Sequence, residues 1–312
     1  MSIYESMNAA LRQEHDLLCN GFEQPAYPTV FTISQPRTAS TLFVQLLLAR
    51  FRIGYCSNLM SRFWDVPVFG AILQQDLQLK IPMSSFKTEL QPEGPLEPNE
   101  WGFFWRRWLK LEGQSHYCDN PAEVDIAGLR RVLATIENVF DAPLVFDSPF
   151  THCNIEILLG ALPQSVFVWT HRELFYVCNS ILNARLKRHG TIEGFFGNRP
   201  RVIDRILSLD DPVEQVVEQV YETQQEIEVV FQRLPEDRRL RLDYPEMLAD
   251  PTASMDRVAA LVAGNGTTLQ PTGGSLPVSL PVRLGGAIVN PDFRDRLVDC
   301  FEKKFGYLPD DF

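Results

Sequence analysis

Apolar residues recur along this chain in two rhythms. Short runs rich in β-branched and aromatic residues, "TVFTI" (29–33), "APLVF" (142–146), "SVFVWT" (165–170) and "RRLRLDY" (238–244), predict buried strands. Between them, apolar positions three and four apart predict helices: "TLFVQLLLARF" (41–51), "DIAGLRRVLATIENVF" (125–140), "CNIEILLGAL" (153–162) and "LFYVCNSILNARLKRHG" (174–190). The long "PVEQVVEQVYETQQEIEVVFQRL" (212–234) is amphipathic, with Glu and Gln on its outer face, and "FRDRLVDCFEKKFGY" closes the chain as a short helix. Strands alternating with helices predict an α/β fold, a central parallel sheet flanked by helices. No internal repeat or low-complexity tract interrupts it.

Two stretches break the alternation. Residues 57–121 are rich in Pro, Trp and Phe and read as a helical insertion or lid. Trp101, Trp105 and Trp108, with Phe104 beside them, fall on one helical face there, a spacing that suits core packing better than a ligand wall. Residues 264–292 form a long Gly/Pro loop, and a loop of that length in a folded chain is either functional or disordered. The whole chain, 1–312, is expected to be a single domain carrying these two additions.

Composition narrows the function. The 312 residues carry a formal net charge of −11 with 45% hydrophobic content, so a core is easily filled and a nucleic-acid or anionic-membrane binder is disfavoured. Six cysteines lie far apart with no CxxC pair, which predicts reduced thiols. The start "MSIYESMNAALRQEHDLL" has acids and no apolar core, and no stretch approaches a membrane span, so a soluble cytoplasmic protein is expected. The five histidines are scattered and no metal-ligand set stands out.

Candidate chemistry gathers after the first strand, in "PTVFTISQPRTASTLFVQLLLARF" (28–51). A cation and three hydroxyls, Arg37, Thr38, Ser40 and Thr41, crowd one turn between a buried strand and a helix. In open α/β sheets that turn binds phosphate, because the helix start offers unpaired N–H groups and the positive end of a dipole. Arg37 adds a charge and the hydroxyls add donors. An ATP- or GTP-binding P-loop would need GxxxxGK[ST], and no Gly-Lys pair occurs anywhere in the chain. Farther on, Arg172 ends the strand 165–170, and Ser180 follows eight residues later, about two helical turns, on the same side.

These two motifs resemble those of the sulfotransferases that use 3′-phosphoadenosine 5′-phosphosulfate (PAPS), whose fold is a three-layer relative of P-loop NTPases. "PRTASTL" is similar to the family's 5′-phosphosulfate loop, Pro-Lys/Arg-Ser-Gly-Thr/Ser-Thr, with Thr38 for Ser and Ala39 for Gly. Arg172 and Ser180 match the family's 3′-phosphate pair, with Leu174 where Pro is usual. "RRLRLDYPEMLADP" resembles a late strand and helix of the family, and the 264–292 loop with "VRLGG" resembles its cofactor-covering segment, which makes Arg283 a candidate. The resemblance implies that Arg37, Thr38, Ala39, Ser40, Thr41, Arg172, Ser180 and Arg283 hold the donor, and that no metal is required. Asp147 departs from the Lys that many relatives carry at the corresponding strand end.

In such a reaction the sulfuryl group passes in line to an acceptor hydroxyl or amine, and Arg37 neutralises the leaving phosphate. A general base is also needed. By the family's two habits, His152 after "LVFDSPF" and Asp65 in "SRFWDVP" are the candidates, with Asp147, Glu89 or Glu100 in reserve. A small-molecule or saccharide acceptor is expected from the 57–121 side, with "RRW" and Lys110 read as a solvated face. A homodimer is among the assemblies the sequence allows. Two other readings stay open: a non-catalytic nucleotide-binding protein of the same fold, and a P-loop phosphotransferase.

Overall fold

The computed structural model describes residues 2–77 and 94–311. All four anticipated strands form, as β1 (Val30–Ser34), β4 (Leu144–Phe146), β5 (Val166–His171) and β6 (Arg239–Asp243). Three shorter ones join them: β2 (Phe51–Arg52), β3 (Gly54–Tyr55) and β7 (Gln270–Pro271). The main sheet has the order β3-β4-β1-β5-β6, and all its pairings are parallel. β1 therefore lies in the middle, where successive strands switch from one side to the other, the point at which open sheets bind ligands.

Twelve helices are seen among the described residues: α1 (Ile3–Cys19), α2 (Ser40–Arg50), α3 (Pro67–Leu77), α4 (Gly102–Trp108), α5 (Ile126–Phe140) and α6 (Ile155–Ala161), then α7 (Leu174–His189), α8 (Ile203–Leu207), α9 (Pro212–Arg233), α10 (Tyr244–Ala249), α11 (Pro251–Gly264) and α12 (Arg294–Phe305). Local chemistry sets several starts. Asp125 accepts the Gly128 N–H at the head of α5, and Asp211 and Asp250 cap α9 and α11, each with Pro in the first turn.

Strand parity divides the interior. Phe31, Ile33, Phe146, Phe167 and Trp169 point into one apolar cluster with α5 and α6, while Val30, Val145, Val166 and Val168 point into another with α2 and α11. A third cluster joins α7, α9 and α12. The Trp stripe belongs to the first: Trp101, Phe104 and Trp105 are buried, and Phe31 and Phe146 lie 5.6 and 5.1 Å from the Trp105 ring. β2 and β7 make a short antiparallel ladder that ties the 264–292 loop to the end of α2, where Thr272 Oγ1 also donates to the Ala49 carbonyl.

Candidate active site

The loop between β1 and α2 takes an unusual backbone path. Arg37 and Ala39 both have φ of 69°, in the left-handed region. That conformation costs a residue with a Cβ about 1–2 kcal/mol, which is why glycine suits it. Ala39 is the N-cap of α2 and its methyl makes no capping bond, so the first-turn N–H groups face outward from a helix whose own carbonyls cannot reach them.

Arg37 reaches across the sheet. Its Nε donates to Ser180 Oγ at 3.0 Å, joining the two sequence motifs directly. Arg172, at the end of β5, donates to the Arg37 carbonyl at 3.2 Å and to the Arg283 carbonyl at 2.7 Å, and lies over the Tyr244 ring at 4.7 Å. The Tyr244 hydroxyl accepts the Arg283 N–H at 3.3 Å, which anchors the Gly/Pro loop beside the cluster. Burial lowers the pKa of Arg37 and of Arg172, and the Arg172 charge lowers Arg37 further. Arg172 Nε is buried with no partner. A desolvated pair of like charges with an unsatisfied donor is chemistry that fits an anion.

The loop hydroxyls also bond within the protein. Thr38 turns inward, donating to the Gln35 carbonyl at 2.9 Å and meeting Thr170 Oγ1 at 3.1 Å. Ser40 and Thr41 donate to Asp147 Oδ2 at 2.9 and 3.3 Å, and Thr32 donates to Oδ1 at 2.7 Å. Asp147, at the end of β4, is thereby fixed under the loop. Burial raises its pKa, and the three hydroxyls offset part of that rise.

A cleft of about 1710 Å³ opens over these groups, lined by Arg37, Ala39, Ser40, Thr41, Arg172, Ser180 and Arg283 among others. Asp147 and Glu100 line it too. Glu100 is open to the cleft yet enclosed by its walls, and that enclosure, then the Asp147 charge, raises its pKa to about 7 against the pull of Arg188.

The two leading base candidates sit elsewhere. Asp65 is absent from the cleft lining and is held by Arg107 and by Arg12, the latter at 2.6 Å. His152 is also outside the lining, buried, with Nε2 3.3 Å from Cys153 Sγ and its pKa lowered to about 4 by burial. Glu89 lies outside the described residues. "RRW" splits: Arg107 pairs with Asp65, whereas Arg106 lines the cleft. Tyr244, Arg188 and Arg199 were not singled out from sequence; only the two-turn spacing of Arg188 beyond Ser180 could have suggested one of them. Among the described residues no cluster of three His, Cys, Asp or Glu could hold a metal, and no helix is long and apolar enough to cross a membrane.

Comparison with known proteins bears on the fold and the family. The fold is similar to a sulfotransferase from Mycobacterium avium (17% identity, TM-score 0.54, covering 82% of this chain and 68% of that one). It is also similar to a sulfotransferase from Mycobacterium tuberculosis H37Rv (16% identity, TM-score 0.54, covering 84% and 72%). No curated protein matches the chain in sequence. The model of the Sulfotransferase family matches residues 28–263, from the strand before the Arg37 loop to the end of α11, and the chain belongs to that family.

Proposed function

We propose that the chain transfers a sulfuryl group from 3′-phosphoadenosine 5′-phosphosulfate to a hydroxyl of a small acceptor, with Glu100 as general base. The meeting of Arg37 with Ser180 and Arg172 at the strand ends carries this reading. Two motifs far apart in sequence, each suited to one phosphate of the same donor, are brought within one hydrogen bond of each other. Arg172, Ser180 and Arg283 suit the 3′-phosphate; Arg37 and the N–H groups of Ala39, Ser40 and Thr41 suit the 5′-phosphate side. The acceptor oxygen forms its bond to sulfur as the bond from sulfur to the 5′-phosphate oxygen breaks. The hydroxyl proton passes to Glu100, and Arg37 neutralises the charge left on the phosphate.

Glu100 is preferred because it lines the cleft and its raised pKa suits a base working near neutrality. Asp147 is spent on holding Thr32, Ser40 and Thr41, which makes it a positioning residue for the loop. That same grip favours a second reading, since Mg²⁺-dependent phosphotransferases place an Asp beside the loop Ser or Thr. The missing Gly-Lys counts against it. One experiment separates the two: release of 3′,5′-ADP from PAPS in the presence of an acceptor panel, beside Mg²⁺-dependent ATP turnover. Turnover of PAPS with kcat lowered more than donor KM is raised in Arg37→Ala supports sulfuryl transfer. Turnover of ATP alone overturns it.

A further inference from the structure

The cleft holds more cations than its donor motifs use. Arg62, Arg106, Lys187, Arg188 and Arg199 also line it, and among the described residues none of these five is in an ion pair. Outside the cleft, Arg50, Arg52, Arg205, Arg241 and Arg257 each hold a carboxylate. Carboxylates are plentiful, 40 Asp and Glu against 29 Lys and Arg, yet among the described residues only Asp147 and Glu100 line the cleft beside these cations.

Two of these cations, Arg106 and Arg199, are held in place. Arg106 donates to the carbonyls of Ser115, at 3.0 Å, and Gly113, and lies over the Phe150 ring at 5.7 Å. Arg199 lies over the Phe195 ring at 4.5 Å, and its backbone N–H points at His116 Nδ1 at 3.4 Å. Burial and then the Arg199 charge lower the pKa of Arg106, which sets the two guanidiniums within each other's field. His116 adds no charge, because burial and the surrounding cations lower its pKa to about 3. Two guanidiniums held in one cleft within each other's field repel, and an oxyanion between them relieves that repulsion.

Their position separates them from the donor. Arg106 overlies Phe150, three residues past Asp147, on the β4 side of the sheet, whereas Arg172, Tyr244 and Arg283 lie on the β5 and β6 side. Arg188, in the last turn of α7, lines the same cleft and lies close enough to pull on Glu100. We propose that the acceptor carries a tetrahedral oxyanion of its own, a phosphate or sulfate ester, seated on Arg106, Arg188 and Arg199 while its hydroxyl meets Glu100. This rests on the sulfuryl-transfer reading above and names the acceptor class for it.

The test is calorimetric titration of inorganic phosphate, and separately inorganic sulfate, into protein saturated with 3′,5′-ADP, so that the donor positions are filled. Saturable binding of one anion per chain is expected, weakened at least tenfold in Arg199→Ala and in Arg188→Ala while 3′,5′-ADP binds unchanged. The anion that binds more tightly tells a phosphate ester from a sulfate ester. Arg188→Ala removes an exposed side chain and keeps the test valid should Arg199→Ala fold poorly. Normal 3′,5′-ADP binding with no saturable anion binding, or with both variants binding the anion as the parent does, overturns the proposal. Absence of 3′,5′-ADP binding counts instead against the donor reading, and the same phosphate titration of parent and variants then decides the anion seat alone.

Discussion

Ala39 shows how a single side chain can be at odds with its backbone. The loop needs a left-handed residue at that point, and a methyl there carries a steric cost that glycine does not. Ala39→Gly should therefore stabilise the folded chain by roughly 1 kcal/mol, less the extra flexibility glycine gives the unfolded chain. A higher thermal midpoint with retained 3′,5′-ADP binding is the expected result; a lower midpoint would mean the loop is not strained. Glu100 carries the second residue-scale prediction. A base must be deprotonated to accept a proton, so kcat/KM should rise with pH through the Glu100 pKa, which its enclosure beside Asp147 lifts to near neutrality. Glu100→Gln should lose ~10²–10⁴ in kcat, remove that acidic limb and leave donor binding intact. Asp65→Asn and His152→Ala should keep turnover, because neither side chain lines the cleft. The reverse pattern would return the base to one of those two. The loop and the Arg172–Ser180 pair were legible in sequence because each is a local motif. Asp147 and Glu100 could be named from sequence only as reserve bases, and Tyr244 not at all, since their surroundings depend on chain segments that only the folded sheet brings together.

At the scale of elements, strands and long helices could be read because burial on both sheet faces leaves continuous apolar runs, as in β1 and β5. β3 is two residues long and carries no rhythm to detect. α11 escaped notice for another reason: its Ala- and Val-rich sequence has only a weakly one-sided pattern, and its Asp250 cap and Pro251 look like a turn. The aromatic stripe at the head of α4 packs as core, since Trp101 and Trp105 are each 1% exposed, although Trp101 also borders the cleft. Leu174 is a departure without structural consequence. It is the first residue of α7, where no N–H is needed, and Glu173 before it has ψ of 124°, the extended state a following proline requires. Leu174→Pro should change stability by less than about 1 kcal/mol, with loss of some apolar contact set against a stiffer unfolded chain. A proline placed mid-helix should cost ~3 kcal/mol or more. Thermal melts of Leu174→Pro and Ile181→Pro make the comparison, and equal destabilisation would show that the start of α7 is misassigned.

For the molecule as a whole, a net charge of −11 coexists with a cleft whose walls are basic. Acidic residues elsewhere leave that field unbalanced only where the anions are to bind, so a highly charged donor is steered to the strand ends. Donor capture should accordingly weaken as salt is raised, with the fall carried mainly by the association rate. The central claim is that the Arg37, Arg172 and Ser180 cluster recognises a nucleotide by its 3′-phosphate as well as its 5′-phosphate. The most direct measurement is the rise in thermal midpoint caused by equal concentrations of 3′,5′-ADP and 5′-AMP, in the parent and in Arg172→Ala. Ligand that binds only the folded chain adds ~2.7 kcal/mol at a hundredfold excess over Kd. A large shift with 3′,5′-ADP, a small one with 5′-AMP, and loss of the difference in Arg172→Ala are predicted. Equal shifts from the two nucleotides in the parent protein would contradict the account.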